Sequence, residues 1–455
     1  MTSCPAASSA ATHQPGLHQD IPMERCMVHW ILLESERDPK NDPLVVWYQG
    51  GPGASSLYGL FVEFGPLRLN ELSMQHYNET GVPALIPNEY SWTKFANVLV
   101  IDNPPPVGFS YCDPVGPTGN GDSCGAWNDS LVATANHAML SEWIKQMPDY
   151  AHLDMYITGE SYAGVYVPTI VRAILNDPRG LNLKGFAVGD GCLGTEVLCG
   201  PSGGPYWNVE FMHGHGQFSN KLYNSIQSTC TETELKQGNL STACHALIQQ
   251  MNTEIGGYYG YNLYDTCYAQ HVFAPNPSSS RQYWSSAVGM GVGGALNDYP
   301  CPGDALNIWV NLTEARQALH VPVSSTFFNG DNGAGMKYSL TEPDLLPFYE
   351  HVVRNTSLRV LVYNGDTDPG INSFVTQDKY VQYFDSKGLR ETETWRPWTL
   401  DGKKQVAGYV FGYESNFHYL TIRGSGHMVP EFKPQAAQSM LQFFLADKNW
   451  PAYNP

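Results

Sequence analysis

Six short apolar runs, each ending in a glycine-rich or polar turn, constrain the fold of this chain more than any other feature. They cover residues 44–48, 97–101, 155–158, 185–188, 359–363 and 418–422. Such β-branched runs are typical of parallel strands joined by helical crossovers. Helical spacing predicts helices over 165–175, with Pro168 near the first turn, and over 434–445. We therefore predict an α/β fold with a mainly parallel central sheet flanked by helices.

The pattern breaks between about residues 191 and 302. This stretch holds six of the ten cysteines, a helical segment over 231–252 and a glycine-rich tract, but no sheet period. We interpret it as a disulfide-stapled cap insertion. The predicted segments are a first part of the core over 22–190, the cap insertion over 191–303 and a second part of the core over 304–455.

Two motifs inside the predicted insertion resemble ligand-binding motifs, but we assign a ligand to neither. The tract GMGVGG at 289–294 follows no predicted strand and opens no predicted helix, so we interpret it as a flexible loop and not a dinucleotide loop. His213 and His215 lack a third ligand at metal-site spacing, and we interpret both as structural. The sequence predicts neither a cofactor nor a metal site.

The charge balance excludes several classes of partner. The 43 acidic and 25 basic side chains leave a formal net charge of -18, which repels nucleic acid and anionic membrane surfaces. With 42% hydrophobic and 15% charged residues, the chain does not have the composition of a disordered protein. It contains no run of about 18 apolar residues that would predict a membrane-spanning helix. We expect a soluble protein that binds neither nucleic acid nor membrane.

The cysteines and glycosylation sequons favour an oxidising compartment. None of the ten cysteines forms a C-x-x-C pair, which excludes a thioredoxin-like site and a zinc ribbon. Sequons lie at Asn78, Asn128, Asn239, Asn311 and Asn355. Residues 1–20 lack the basic and apolar regions of a signal peptide, which argues the other way. We expect a secretory-pathway protein, vacuolar, lysosomal or extracellular, with its targeting segment omitted; the alternative is a cytosolic protein with reduced thiols.

The motif GESYAG at 159–164 follows a predicted strand and precedes a predicted helix. This is the context of a nucleophile elbow, in which a strained turn exposes a serine hydroxyl above the sheet. We predict Ser161 as the nucleophile, which then needs a base and a group that orients the base. His427 and Asp368, each in the turn after a later run, supply them in the chain order of the α/β-hydrolases.

The turn after the first run, WYQGGPG at 47–53, is predicted to supply the oxyanion hole. Paired glycines let backbone N–H groups approach a developing oxyanion closely. We assign the N–H groups of Gly51 and Tyr162 to this role. Taken alone, GGPG is merely a tight turn, but here it stands upstream of an elbow and its partners.

Five segments, all in family order, make the chain resemble the serine carboxypeptidases. They are HWILLESERDPKNDPLVVWYQGGPGASS, SWTKFANVLVIDNPPPVGFSY, GESYAGVYVP, LVYNGDTDPGIN and TIRGSGHMVP. The resemblance spans the chain from about His29 to Leu445. It implies an α/β-hydrolase that releases C-terminal residues from peptides at acidic pH through an acyl-enzyme intermediate. The partner is then a peptide with a free C-terminus, bound by a monomer or homodimer.

The resemblance also implies a site for the terminal carboxylate of the substrate, formed by Gln49, Gly50 and Glu160. Glu63 is expected beside Glu160. Two close carboxylates do not both ionise easily, so one is expected to stay protonated in acid and to hydrogen-bond the substrate. Met428 matches a residue that lines the leaving-group pocket.

Further matches concern the aspartate and the cysteines. By family match, Asp368 is the catalytic aspartate and Asp366 is not. The pairs Cys230–Cys244 and Cys267–Cys301 resemble cap disulfides of the family, and the pairing of the other six cysteines stays open.

Three positions depart from the family pattern. Gln49 replaces an asparagine, so we expect the carboxylate site to be displaced by about a bond length. Ala54 replaces a bridged cysteine, and no cysteine stands in the matching region, 321–330. The strand expected before His29 is poorly matched.

Two other functions compete with peptide hydrolysis. Gln49 suggests an acyltransferase instead, an enzyme that transfers an acyl group from an activated ester to an alcohol. A non-catalytic binding protein on the same scaffold becomes credible only when a member of the triad is missing, and none is.

Overall fold

The centre of the fold is a nine-stranded sheet, seen in a computed structural model that describes residues 26–199, 204–265, 300–330, 335–402 and 405–454. The strands are β1 Cys26–Met27, β2 Trp30–Leu33, β3 Leu44–Tyr48, β4 Leu67–Arg68, β5 Ile86–Pro87, β6 Asn97–Ile101, β7 Tyr111–Cys112, β8 Ala126–Asn128, β9 Met155–Glu160, β10 Leu183–Gly189, β11 Lys337–Ser339, β12 Arg359–Gly365, β13 Glu391–Trp398, β14 Gly408–Tyr413 and β15 Phe417–Ile422. Their order across the sheet is β13-β14-β15-β12-β10-β9-β3-β6-β2. The strands from β15 to β6 pair in parallel, and antiparallel pairs occur only towards the two edges of this sheet. The mainly parallel sheet confirms the predicted fold class.

Both faces of the sheet are buried, which explains why its strands read as continuous apolar runs. Along β3, Leu44 and Val46 belong to the core on one face, whereas Val45 and Trp47 belong to the core on the other. Parallel strands that are covered on both faces have no solvent-facing positions to leave polar.

Helices supply the two covering layers. They are α1 Tyr77–Thr80, α2 Asp129–Gln146, α3 Ala163–Asn176, α4 Tyr206–Gly214, α5 Asn220–Thr229, α6 Glu232–Gln237, α7 Thr242–Ile255, α8 Ala305–Trp309, α9 Thr313–Ala318, α10 Leu346–Asn355, α11 Ser373–Ser386, α12 Val429–Phe432 and α13 Pro434–Leu445. Helices α2, α3 and α10 pack on one face, and α13 packs on the other. The prediction for 434–445 is confirmed. Helix α3 begins two residues before its predicted start, so Pro168 lies inside the helix and not near its first turn.

The described part of the predicted insertion is helical and has a core of its own. Helices α4 to α7 pack around buried side chains that include Phe211, Ile226 and Met251. The single predicted helical segment over 231–252 is wrong, because Gly238 adopts a left-handed conformation (φ 78) that ends α6 before α7 begins. The glycine-rich tract at 289–294 lies outside the described residues.

The two histidines of the insertion make contacts within it. The ring of His213 stacks on that of Tyr223, with 3.6 Å between centroids, and its Nε2 contacts Asn220 Oδ1 at 2.9 Å. His215 Nδ1 lies 2.8 Å from the Phe211 carbonyl oxygen.

The cysteine pairings combine one confirmed prediction with two new findings. Disulfides within the described residues are Cys26–Cys112, Cys192–Cys199 and Cys230–Cys244. The last was predicted, and the other two answer pairings that the sequence left open. Cys301 is disulfide-bonded, but its predicted partner Cys267 lies outside the described residues. Cys124 is a free, buried thiol beside the first of these bonds.

Four of the five sequon asparagines are exposed: Asn78, Asn239, Asn311 and Asn355. Asn128 is half-buried, and its Oδ1 caps α2 by accepting a hydrogen bond from the Leu131 N–H at 2.9 Å. Within the described residues, no helix combines the length and apolar character that crossing a membrane requires.

Candidate active site

The turn after β9 holds the predicted nucleophile, Ser161, in a strained conformation. Its φ of 61 lies in the left-handed region, which costs a residue other than glycine about 1–3 kcal/mol. The flanking glycines make room for the turn. A Cβ on Gly159 would overlap the Tyr48 carbonyl oxygen, and one on Gly164 would overlap the backbone of Cys192. The small residues of GESYAG therefore let two strands and α3 approach closely around the serine, as a nucleophile elbow requires.

The turns after β12 and β15 bring the predicted Asp368 and His427 into direct contact. His427 Nδ1 lies 2.7 Å from Asp368 Oδ2, and both side chains are buried. Because a carboxylate only accepts, this bond places a proton on Nδ1 and makes Nε2 the basic nitrogen of the neutral ring. The Gly370 N–H donates to the other oxygen, Asp368 Oδ1, at 2.8 Å. Asp366 instead accepts from the Gly424 N–H at 2.6 Å.

A short segment of the predicted insertion holds these two turns together. The His427 N–H donates to the Tyr261 carbonyl oxygen at 2.7 Å, and the Leu263 N–H donates to the Thr367 carbonyl oxygen at 2.9 Å. Met428, the predicted leaving-group residue, is buried and packs against the same segment. The segment around Tyr261 therefore helps to position the imidazole, a role that the sequence did not reveal.

The sheet aligns the elbow with the turn that carries Asp368. Strands β9, β10, β12 and β15 are consecutive neighbours, so their carboxyl ends lie at one edge. Across that edge the Ser161 N–H donates to the Gly189 carbonyl oxygen at 3.0 Å, and the Asp190 N–H donates to the Tyr363 carbonyl oxygen at 2.8 Å. Open α/β sheets bind their ligands at this edge.

The glycine turn after β3 lies directly against the elbow. A Cβ on Gly50 would sit 2.5 Å from the Tyr162 backbone nitrogen, which only a glycine avoids. Gly51 has φ 108, another conformation that favours glycine. The loop is anchored from behind by Asp102, whose Oδ1 accepts the Ser56 N–H at 3.0 Å. The structure thus brings the two predicted oxyanion-hole residues, Gly51 and Tyr162, into one neighbourhood.

The predicted carboxylate-binding residues form one buried cluster. Gln49 Nε2 donates to Glu160 Oε1 at 2.6 Å and to Glu63 Oε1 at 3.1 Å. The Trp47 indole N–H donates to Gln49 Oε1 at 2.8 Å, which fixes the orientation of the amide. The expected displacement by the extra methylene therefore does not separate Gln49 from either carboxyl group.

Burial gives this cluster unusual proton affinity. It raises the pKa of Glu63 to about 7, against the smaller opposing effect of the Gln49 amide. Burial, and after it the charge of Glu63, holds the pKa of Glu160 well above its ordinary value. The two Oε1 atoms meet the same amide nitrogen, so the carboxyl groups lie side by side and their mutual repulsion favours a proton on one of them.

A third buried carboxyl group, Glu431, escaped the sequence analysis. Burial and the charge of Glu63 raise its pKa well above the ordinary value. Its Oε2 accepts the Tyr58 hydroxyl at 3.2 Å. The only signal in the sequence was its position four residues after His427.

Asp129 was also missed, and it anchors the side chain that follows the nucleophile. Its Oδ1 accepts the hydroxyls of Tyr162 at 2.6 Å and Tyr338 at 2.7 Å. Its Oδ2 accepts the Glu342 N–H at 2.7 Å. Asp129 therefore ties the elbow to a loop more than 200 residues away in the chain.

Comparison with known proteins adds an independent line of evidence. A family model described as "Serine carboxypeptidase" matches residues 10–447. Serine carboxypeptidase ctsa-4.1 of Caenorhabditis elegans is 31% identical over 441 residues, which cover 93% of this chain and 88% of that protein. Lysosomal protective protein of Mus musculus is 32% identical over 443 residues, which cover 92% and 87%.

A solved structure supports the fold. It is that of KEX1, a prohormone-processing carboxypeptidase from Saccharomyces cerevisiae, with a TM-score of 0.64, 18% identity, and coverage of 96% of this chain and 89% of that one. At this identity the likeness concerns the fold alone, and the α/β-hydrolase fold is as predicted.

Proposed function

The chain belongs to the serine carboxypeptidase family, and from that premise we propose that it hydrolyses C-terminal peptide bonds at acidic pH through a covalent acyl intermediate on Ser161. The observation that carries this proposal is the buried pair Glu63 and Glu160, which the Gln49 amide holds together beside the nucleophile, Glu160 being the residue before Ser161. Such a pair is suited to recognising a carboxylate, which only exopeptidase substrates present at this position.

In the proposed reaction the Ser161 hydroxyl attacks the last peptide carbonyl carbon while His427 Nε2 takes its proton. The hydrogen bond of 2.7 Å to Asp368 holds the imidazole in the required tautomer and stabilises its protonated form. The N–H groups of Gly51 and Tyr162 stabilise the oxyanion, each typically contributing about 3 kcal/mol. His427 then protonates the leaving amine, and a water molecule hydrolyses the acyl-serine by the same route.

The carboxylate of the substrate is bound by a group that would repel it if ionised. Glu63 or Glu160 must therefore carry a proton and donate a hydrogen bond to the substrate carboxylate. The Gln49 amide and the Gly50 N–H are further hydrogen-bond donors. The leaving residue lies against Met428. Because a larger fraction of the Glu63–Glu160 pair carries a proton in acid, binding of free C-termini is strongest at acidic pH.

Acyl transfer from an activated ester is the competing function, and Gln49 was the residue that suggested it. The longer side chain of Gln49 contacts both carboxyl groups, which supports a carboxylate site with glutamine in place of asparagine. This favours the hydrolase.

The test is release of free amino acids from N-blocked dipeptides between about pH 4 and 6, the range in which carboxyl pairs titrate. The matched control is the same dipeptide with a C-terminal amide, which cannot use the carboxylate site. Activity on the amide but not on the free acid would overturn the proposal. A parallel reaction with a glucose ester and an acceptor alcohol identifies the acyltransferase, if transfer outruns hydrolysis.

We further propose that residues 191–303 form a cap over the hydrolase core and that the protein matures in the secretory pathway, in a lysosomal, vacuolar or extracellular compartment. The disulfides and the exposed sequons support this, as does a relative named lysosomal protective protein. Endoglycosidase treatment of the secreted chain tests it. We expect the treatment to shift the electrophoretic mobility, and we expect this shift to shrink stepwise as the exposed asparagines are changed to glutamine. The absence of any shift would contradict maturation in the secretory pathway.

A further inference from the structure

Asp190, at the carboxyl end of β10, has no role in the site described so far. It is fully buried and has φ 41, a left-handed conformation that is uncommon for aspartate. Its Oδ1 accepts hydrogen bonds from Asn364 Nδ2 and from the Gly365 N–H, each at 3.0 Å, and the same N–H also lies 3.1 Å from Oδ2. Both donors are neutral, so neither offsets a full negative charge.

The carboxyl group of Asp190 faces another carboxyl group, that of Asp368. One side-chain atom from each of Asp190, Asp368 and His427 lies within 4.8 Å of the others. At this separation two ionised carboxylates would repel each other, whereas a proton on one of them lets the two groups hydrogen-bond. Two carboxylates cannot hydrogen-bond unless one of them carries a proton.

The charge that the donors can carry decides which of the two holds the proton. Asp368 accepts from the Gly370 N–H on Oδ1 and from His427 on Oδ2. His427 can become a cation, whereas the donors to Asp190 are neutral, so the negative charge belongs on Asp368 and the proton on Asp190. We propose that Asp190 is a positioning residue, a neutral carboxylic acid that donates its proton in a hydrogen bond to the Asp368 carboxylate.

The surroundings of Asp190 support a neutral state. Burial, and after it the charge of Asp368, holds its pKa well above the ordinary value, against the smaller effects of the Gly365 N–H and the Asn364 amide. The other titratable groups that face it are Glu160, Tyr363, Tyr419 and the imidazole of His427. The first three are acids and never carry a positive charge, so none of them stabilises an ionised Asp190.

The bond has a consequence for the reaction, and this part rests on the proposed function. With Asp190 neutral, one negative charge and not two lies beside the imidazole of His427. An ionised Asp190 would add a second charge and stabilise the imidazolium, which cannot accept the Ser161 proton. The neutral acid therefore lets the site work at lower pH.

Infrared difference spectroscopy at pH 6 tests the proton directly, without reference to activity. Asp190→Asn should remove one protonated-carboxyl C=O band, different from the band removed by Glu63→Gln. The exposed Asp149→Asn should remove none. Loss of a carboxylate band in Asp190→Asn would overturn the proposal. If Asp190→Asn does not fold, Asp368→Asn should move the Asp190 band to titrate at lower pH, and an unmoved band would count equally against it.

The pH profile of kcat/KM supplies the second readout. The amide of Asp190→Asn is a neutral but weaker donor, so we expect kcat/KM to fall about fivefold while the acid limb keeps its position. If Asp190 is ionised, the substitution removes a charge and the acid limb moves to lower pH by about one unit or more. A wild-type protein without carboxypeptidase activity would refute the proposed function, whereas the infrared result would still decide the state of Asp190.

Discussion

Two carboxyl sites belong to the proposed active site, and they treat the same functional group in opposite ways. Asp368 meets N–H donors on both oxygens, from Gly370 and from His427. Glu63 and Glu160 instead meet each other and share one amide donor, that of Gln49. A carboxyl group among donors is stabilised as an anion, whereas two that face each other are stabilised with a proton between them. The donors supplied by the fold, and not the residue type, thus decide which group accepts and which donates.

The largest expected effect comes from removing the nucleophile that both sites serve. Ser161→Ala should lower kcat by about 10⁶-fold, as loss of a triad serine does elsewhere. Binding of a blocked dipeptide, measured by calorimetry, should persist because the carboxylate site is intact. Ser228→Ala, at an exposed position of α5, is the control. Residual hydrolysis near the wild-type rate would mean that Ser161 is not the nucleophile.

Breaking the donor-rich site should cost less than breaking the nucleophile. Asp368→Asn should lower kcat by about 10⁴-fold, because an amide no longer holds the imidazole in the right tautomer. Asp366→Asn is a control two residues away, where the side chain accepts from Gly424 instead of His427, and it should lose less than about tenfold. Equal losses in the two variants would contradict the assignment of Asp368.

The Glu63–Glu160 pair should make the preference for free-acid over amide substrates depend on pH. The pKa of Glu63 is raised to about 7, so the proton is present below that pH and is lost above it. The ratio of kcat/KM for a free acid to that for its amide should therefore fall about tenfold per pH unit above about pH 7. In Glu63→Gln the ratio should change less with pH. A ratio that is flat in the wild type would show that the pair does not read the substrate carboxylate.

The raised pKa of Glu63 also makes the stability of the folded protein depend on pH. A carboxyl group that binds its proton more tightly in the folded state stabilises the fold below its ordinary pKa and loses that contribution as the pH rises through about 7. For Glu63 the loss is on the order of 3 kcal/mol. We expect the melting temperature to fall by several degrees between about pH 5 and 8, and by less in Glu63→Gln. Calorimetric scans of both proteins measure it, and parallel curves would refute the coupling.

The smallest effect is expected at Gln49, whose amide donates to both Glu63 and Glu160. Gln49→Asn shortens the side chain by one methylene and should weaken one of its two bonds to Glu63 and Glu160. One neutral hydrogen bond contributes about 1 kcal/mol, which is about fivefold in KM for free-acid substrates. The C-terminal amide should be unaffected. An unchanged or lower KM would show that the carboxyl pair does not need the longer side chain.

Local signals in the sequence predicted much of the architecture. The runs at 44–48 and 97–101 match β3 and β6 to the residue, and 434–445 matches α13. Strand and helix periods are properties of neighbouring residues, so a sequence reveals them directly. The segment over 231–252 failed because one glycine in a helical pattern looks tolerable, and only the observed φ of Gly238 shows that it ends the helix.

The residues that the sequence missed share one property. Asp129, Asp190 and Glu431 follow no motif, and each gains its contacts from segments far away in the chain. Asp129 meets Tyr338 and Glu342, and Asp190 meets Asn364 and Gly365. An aspartate or glutamate is usually exposed to solvent, so nothing local distinguishes these three from the many exposed acids.

By itself the sequence determined six of the nine strands of the central sheet, two of the helices that cover it, and the order in which a serine, an aspartate and a histidine follow their strands. Only the tertiary structure decided which carboxyl groups are deprived of water and which neighbours they meet. Proton affinity depends on burial and on charges a few ångströms away, and residues such as Asp190 and Asp368 become neighbours only when the chain folds.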